Sequence, residues 1–215
     1  MDIDSGHTTL AEGYSARDQR KLDKIQQIID AASDVFFHEG FSGASMDRIV
    51  EAAGVSKRTL YNYYKSKEDI FIDVIQKQLG SIYINFEPGR LESMSLREQL
   101  QQLATHILEI ANAPETLALF RIMAAETRRF PTLARHFLEE SLENVISGIA
   151  EIFEREGDKA GLHIEDSHAA AELFLDLVNG SAYHRVVFGA VPPLDEHTMA
   201  HRAQTSVDYF FKVYQ

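Results

Sequence analysis

Residues 45–67 read SMDRIVEAAGVSKRTLYNYYKSK, two short stretches of helical periodicity separated by a single glycine. Ser45 stands where an N-cap serine accepts a bond from the first free amides, and Ile49, Val50 and Ala53 then fall on one side of the helix it opens. Gly54 stops that helix, Val55 points inward, and Ser56 caps a second one running from Lys57 to about Tyr64. This second helix has one apolar anchor, Leu60, and otherwise presents cations, hydroxyls and an amide. A helix that merely packs carries a wider apolar stripe. Ser66 caps a further helix whose first turn holds Glu68 and Asp69, the charge sign that a helix N-terminus favours.

Two such helices joined by a tight turn have the proportions of a helix-turn-helix. Ala52, Ala53 and Gly54 are small enough for close approach, and Val55 and Leu60 supply the wedge that fixes the crossing. The exposed chemistry of the second helix suits DNA. Arg58 can donate two bonds to a guanine, and Lys57 stands near the helix end that enters a major groove. Thr59, Tyr61 and Asn62 can reach thymine methyls, base edges or phosphates. Ser45, Ser56, Tyr63, Lys65 and Lys67 lie where hydroxyls and cations hold phosphates and set the register. The amides at the Ser45 and Ser66 helix starts would add to this.

Working outward, residues 1–17 lack periodicity and read as a disordered arm. From Asp18, Leu22, Ile25, Ile28, Ile29, Ala32, Val35 and Phe36 trace an amphipathic helix that Gly40 ends. Pro88-Gly89 marks a loop, and long helices follow at roughly 95–112, 115–129, 131–156, 165–189 and 195–213. No segment alternates with period two, so the chain is expected to be all-α, with about nine helices. The organisation expected is an arm (1–17), a helix-turn-helix domain (18–65) and a larger helical domain (66–215).

Composition narrows the function classes. The chain has 215 residues, 45% of them hydrophobic, enough for a substantial core. With no cysteine, disulfides, thiolate metal sites and thiol nucleophiles are excluded. The N-terminus shows no signal-peptide pattern and no run reaches membrane-spanning length, so a cytoplasmic location without a membrane partner is expected. The net charge of −12 is unevenly spread. Residues 1–80 carry 10 Lys/Arg against 13 Asp/Glu, and residues 81–215 carry 11 against 20. A basic patch on an acidic body can hold phosphate while the body repels non-specific contact.

The stretch ASMDRIVEAAGVSKRTLYNYYKSKEDIF, preceded by AASDVFFHEGFSGAS, closely resembles the DNA-binding domain of the TetR family of bacterial regulators over about residues 20–72. The resemblance rests on Gly40-Phe41, Ile49, the run Ala53 to Ser56, Leu60, Tyr61, Tyr63, Tyr64 and Lys67. Two positions depart from the family pattern. Arg58 stands where a small residue is frequent and Tyr63 where histidine is, so base preference does not transfer from relatives. The resemblance implies a homodimeric repressor that reads a palindromic operator and is released by a small-molecule effector.

The larger domain gives less to read. Residues 169–189 are apolar on two faces, Leu173, Leu177 and Val187 on one and Phe174, Val178 and Ala182 on the other. Such a helix is buried on both sides, by a second copy of the chain or by its own fold. A dimer interface is expected at Phe174, Val178, Ala182, Val207, Phe210 and Phe211. An apolar or aromatic effector is expected among Phe120, Met123, Phe137 and Phe174, with His106, Glu126, Asn179 and Tyr183 as polar candidates; Phe130 and Phe153 also qualify, each equally a core residue. The stretch LFRIMAAETRRFPTLARHFLEE resembles the matching helices of a subset of the family.

Three other readings compete. His197 with His201 and His163 with His168 invite a metal, but no carboxylate completes a ligand set. An all-α enzyme would pair Glu126 or Glu172 with a histidine, but no nucleophile motif or phosphate loop accompanies them. A non-specific architectural DNA binder fits poorly with the acidic body. No catalysis, metal or cofactor is therefore expected.

Overall fold

The computed structural model describes residues 16–84 and 94–215, and all regular structure among them is helical. The helices are α1 (Ala16–Gly43), α2 (Met46–Ala53), α3 (Lys57–Tyr63), α4 (Lys67–Ile84), α5 (Leu96–Asn112), α6 (Pro114–Glu126), α7 (Pro131–His136), α8 (Glu143–Glu156), α9 (Ser167–Val187) and α10 (Glu196–Tyr214). The expected arm and the Pro88-Gly89 loop lie outside the described residues, except that α1 already begins at Ala16.

Local chemistry sets the small helices. Ser45 Oγ accepts from the Arg48 amide at 3.2 Å and Ser56 Oγ from the Thr59 amide at 3.0 Å. Gly54 takes φ 61°, ψ 34°, a left-handed turn that lets its amide reach back to the end of α2. The Asp69 carboxylate accepts from the amides of Lys65 and Ser66, while Ser66 Oγ accepts from the Asp69 amide, a reciprocal cap opening α4. Gly40 breaks the helical path of α1, at the point where its end was expected.

The head core gathers α1 to α4 around Phe36, Phe41 and Phe71, whose ring centroids lie 5.1–5.6 Å apart. Ile28, Ile49, Leu60 and Ile70 are fully buried there. This core continues past residue 65 through Val74 and Ile75, and it takes in Leu119, Met123 and Phe137 from the larger domain. The body core is a bundle of α5, α8, α9 and α10 around Phe153, Phe174 and Phe210.

The body is less regular than periodicity predicted. Between α7 and α8, residues Phe137–Leu142 form a π-helical segment inside the expected 131–156 helix. Within α9, Gly180 adopts φ 51°, ψ −164°, a conformation essentially reserved for glycine. The kink frees the carbonyls of Leu177 and Val178, and α10 takes them up: Arg202 donates to both and Ser206 Oγ donates to Leu177 at 2.8 Å. Burial holds the Arg202 guanidinium below its usual range. Among the described residues, no helix is long and apolar enough to cross a membrane.

Candidate functional site

Helix α3 stands on Leu60, which is fully buried, with Val55 and Tyr63 half-buried beside it. That anchor turns Lys57, Arg58, Tyr61 and Asn62 outward, and Tyr61 is 52% exposed. Thr59 is half-buried and its hydroxyl shares a 2.8 Å bond with Ser56, so both side chains are engaged in the cap. Ser45 is likewise committed to its own helix. Lys65 is exposed at the end of the segment.

The cations differ in how they are held. Lys57 Nζ sits 2.8 Å from Asp47 of α2, and that bond raises the ammonium above its ordinary range. Arg58 makes no hydrogen bond or ion pair among the described residues and extends into solvent. Arg48 is pinned between Glu39 and Glu51, which raise it in turn. Lys67 has a structural role that the sequence did not disclose. Its ammonium donates to the Phe41 carbonyl at 2.6 Å and the Ala44 carbonyl at 2.9 Å, and it lies 4.6 Å from the Phe41 ring centroid. These carbonyls are left over where α1 breaks after Gly40, so Lys67 closes the head.

Tyr64, which carried only a place in the family pattern, is a second internal brace. It is buried and its hydroxyl donates to Asp73 at 2.7 Å, burial and this bond together pushing the phenol well above its ordinary range. Gln27 of α1 donates to the Ala53 carbonyl at 2.6 Å and ties the end of α2 to α1. Neither brace has a sequence signal, because the partners are distant along the chain.

The body holds a cavity of about 80 Å³ between α5, α6, the π-helical segment and α9. Phe120, Phe137, Asn179 and Tyr183 all line it, four of the eight effector candidates. A smaller space of about 10 Å³ on the head side shares Phe120 and Phe137 and adds Met123. Phe120 forms the partition, edge-on to Phe137 at 5.0 Å and to Tyr183 at 5.6 Å. The other three candidates lie elsewhere. Phe174 is in the body core, His106 faces Glu109 at 3.3 Å, and Glu126 is the last residue of α6 and does not line the cavity. Phe130 packs edge-on against Phe41, and Phe153 is body core.

The expected dimer residues need correction too. Phe174, Val178, Val207 and Phe210 are fully buried and Phe211 is 5% exposed within one chain. They bury against α5 and α8 as well as against each other, so they are the chain's own core. Ala182 alone of that set borders an open groove between α9 and α10, beside Arg202 and Tyr209. The large exposed apolar side chains on these helices and the turn after α9, among the described residues, are Phe188, Val191, Tyr209 and Val213, with Phe188 79% exposed. Among the described residues, no three His, Asp or Glu side chains gather in metal-binding proximity. His168 instead bonds Glu143 at 2.7 Å.

Comparison with known proteins places this geometry. Residues 28–74 match the family described as bacterial regulatory proteins, tetR family, and residues 98–215 match the C-terminal domain of AefR-like transcriptional repressors. The chain belongs to the TetR family. A TetR-family regulator from Mesorhizobium loti MAFF303099 superposes with TM-score 0.79 at 27% identity, over 91% of this chain and 98% of that one. The flavonoid-responsive regulator FrrA is 34% identical, with TM-score 0.72 over 90% of this chain and 97% of its own. The fatty acid metabolism regulator protein of Bacillus subtilis (strain 168) is 28% identical over 134 residues, which span 61% of this chain and 68% of that protein. As a TetR-family member the protein is a helix-turn-helix DNA-binding regulator of transcription, and the relatives it matches are transcriptional regulators.

Proposed function

We propose that this TetR-family regulator is a homodimeric repressor that leaves a palindromic operator when a small molecule enters the cavity beside Phe120. The carrying observation is that cavity wall and head core share side chains. Phe137 belongs to the head core and lines both spaces, and α6 turns Phe120 to the cavity while Leu119 and Met123 pack with the head. A ligand that displaces α6 or the π-helical segment therefore moves residues on which the head rests. Control follows because a ligand favouring one head placement shifts the population able to bind DNA. FrrA is named for its response to flavonoids, which supports small-molecule control in a relative of this length.

Dimerisation supports the reading on geometric grounds. One seven-residue helix reads few base pairs, whereas two held about 34–36 Å apart read successive major grooves. A second copy has the open α9–α10 groove and Tyr209, Val213 and Phe188 on which to pack. At the operator, Arg58 is the base reader and Lys57 exchanges Asp47 for phosphate or a base. The test is a gel shift with DNA flanking the protein's own gene. A fragment that outcompetes bulk DNA is expected. Arg58→Ala should cost about 1–3 kcal/mol and relax one operator position. If no fragment there is preferred, specific regulation from that locus is wrong.

A further inference from the structure

Two polar atoms in the cavity wall are shielded from solvent and have no hydrogen-bond partner in the protein, Asn179 Oδ1 and Tyr183 OH. A buried polar atom left unpaired is costly, and well-packed chains rarely keep one without a use. Here two lie in the wall of one space, on either side of the Gly180 kink in α9. Asn179 Oδ1 can only accept, whereas the Tyr183 hydroxyl can donate or accept. A single ligand hydroxyl satisfies both, donating to Asn179 and accepting from Tyr183. Burial pushes the Tyr183 phenol up from its ordinary value, so it keeps its proton.

The remaining wall sets what carries that hydroxyl. Ile107, Ile110, Leu175 and Val145 are apolar, and no charged side chain lines the cavity among the described residues. An anion entering it would meet no cation, and an unpaired buried charge is strongly disfavoured. Phe120 stands edge-on to Phe137 and Tyr183, with interplanar angles of 88° and 84°. Ring edges are electropositive and ring faces electronegative, so walls of this kind favour a flat aromatic guest. A rotated Phe120 would join the two spaces it separates, and a two-ring guest, larger than the spaces of about 80 and 10 Å³, would enter by displacing this half-buried ring toward Met123.

We infer that the cavity takes an uncharged, flat aromatic compound bearing a phenolic hydroxyl, which Asn179 and Tyr183 bind together, and that it excludes anionic acyl thioesters. This rests on the effector-cavity reading above. The full-length protein is titrated calorimetrically with 7-hydroxyflavone, its 7-methoxy ether, 4-hydroxybiphenyl, biphenyl-4-carboxylate and hexanoyl-coenzyme A. At least one phenol should bind about tenfold or more tightly than its ether or carboxylate counterpart. Asn179→Leu and Tyr183→Phe, with wild-type helicity checked by circular dichroism, should each bring phenol and ether within about threefold of one another.

Failure of every phenol to bind, tighter binding of the carboxylate or thioester, or a preference unchanged in both variants overturns the inference. The gel shift separates this from failure of the broader reading. If hexanoyl-coenzyme A releases the operator and Ala111→Phe, which fills the cavity, blocks that release, the cavity is the effector site and the phenol assignment is wrong. If a phenol releases the operator equally from the wild type and from Ala111→Phe, the effector-cavity reading itself falls, and this inference with it.

Discussion

The head and the body are both helical cores, yet they are finished differently. In the head, Phe36, Phe41 and Phe71 fill the centre, and the loose ends of helices are tied by Lys67, Tyr64 and Gln27. In the body, a cavity, a π-helical segment and a glycine kink lie close together, and two polar atoms of the cavity wall are left without partners. A DNA reader gains from rigidity, because its few contacts work only if held in register. On the function proposed above the body is the sensor, and a sensor cannot be packed to completion, since the ligand has to supply the last contacts. The two regions meet at Phe137 and α6, so the incomplete core has a grip on the finished one.

The contrast breaks first, if it breaks, on packing. Phe36→Ala removes a fully buried ring from the head and should cost about 3–5 kcal/mol. Phe120→Ala removes a half-buried ring already bordered by empty space, so fewer contacts are lost and about 2 kcal/mol is expected. Urea unfolding followed by circular dichroism measures both. Equal losses would mean that the cavity wall is packed as tightly as the head.

Two tyrosines, Tyr64 buried and Tyr183 half-buried with a shielded hydroxyl, sharpen the same point with opposite signs. The Tyr64 hydroxyl donates to Asp73, so Tyr64→Phe strips a carboxylate of its partner and should destabilise by about 1.5–3 kcal/mol. The Tyr183 hydroxyl has no partner to lose. Tyr183→Phe should leave the ligand-free protein unchanged or raise its stability by about 1 kcal/mol. Thermal melts decide it, and a loss at Tyr183 comparable to that at Tyr64 would show that its hydroxyl is structurally employed.

The same division governs what the chain discloses before its structure is seen. The helix-turn-helix was legible because its signals are local: Ser45, Ser56 and Ser66 cap within three residues, and Gly54 turns within one. The bracing role of Lys67 was not legible because its partners, Phe41 and Ala44, lie 26 and 23 residues away. The apolar faces of α9 were legible as buried, but periodicity does not say by what. Phe174 and Val178 meet α5, α8 and α10 of their own chain, where a second copy was expected. Gly180 falls inside the helix expected at roughly 165–189, and only φ 51° and the Arg202 contacts reveal a kink there. Four of the eight cavity candidates lined it because large aromatics and central amides have few other places in a bundle.

The smallest expected effect is a pH dependence confined to the body. His168 on α9 bonds Glu143 on α8, which raises the imidazole above 6.5 and lowers the carboxyl below 4.5. The imidazole's contribution is complete below its unfolded value of 6.5 and is lost as pH rises through the raised folded one. The carboxylate's contribution is complete above 4.5 and is lost as pH falls through the lowered folded value. The pair therefore stabilises most between these limits. Both groups are exposed, so water and salt screen them, and a shift of about 1 °C is the scale to expect. His168→Ala should lower the melting midpoint at pH 5.5, leave it unchanged at pH 8.5, and lose its effect in high salt. A His168 effect that persisted at pH 8.5 would have to come from packing between α8 and α9, not from charge.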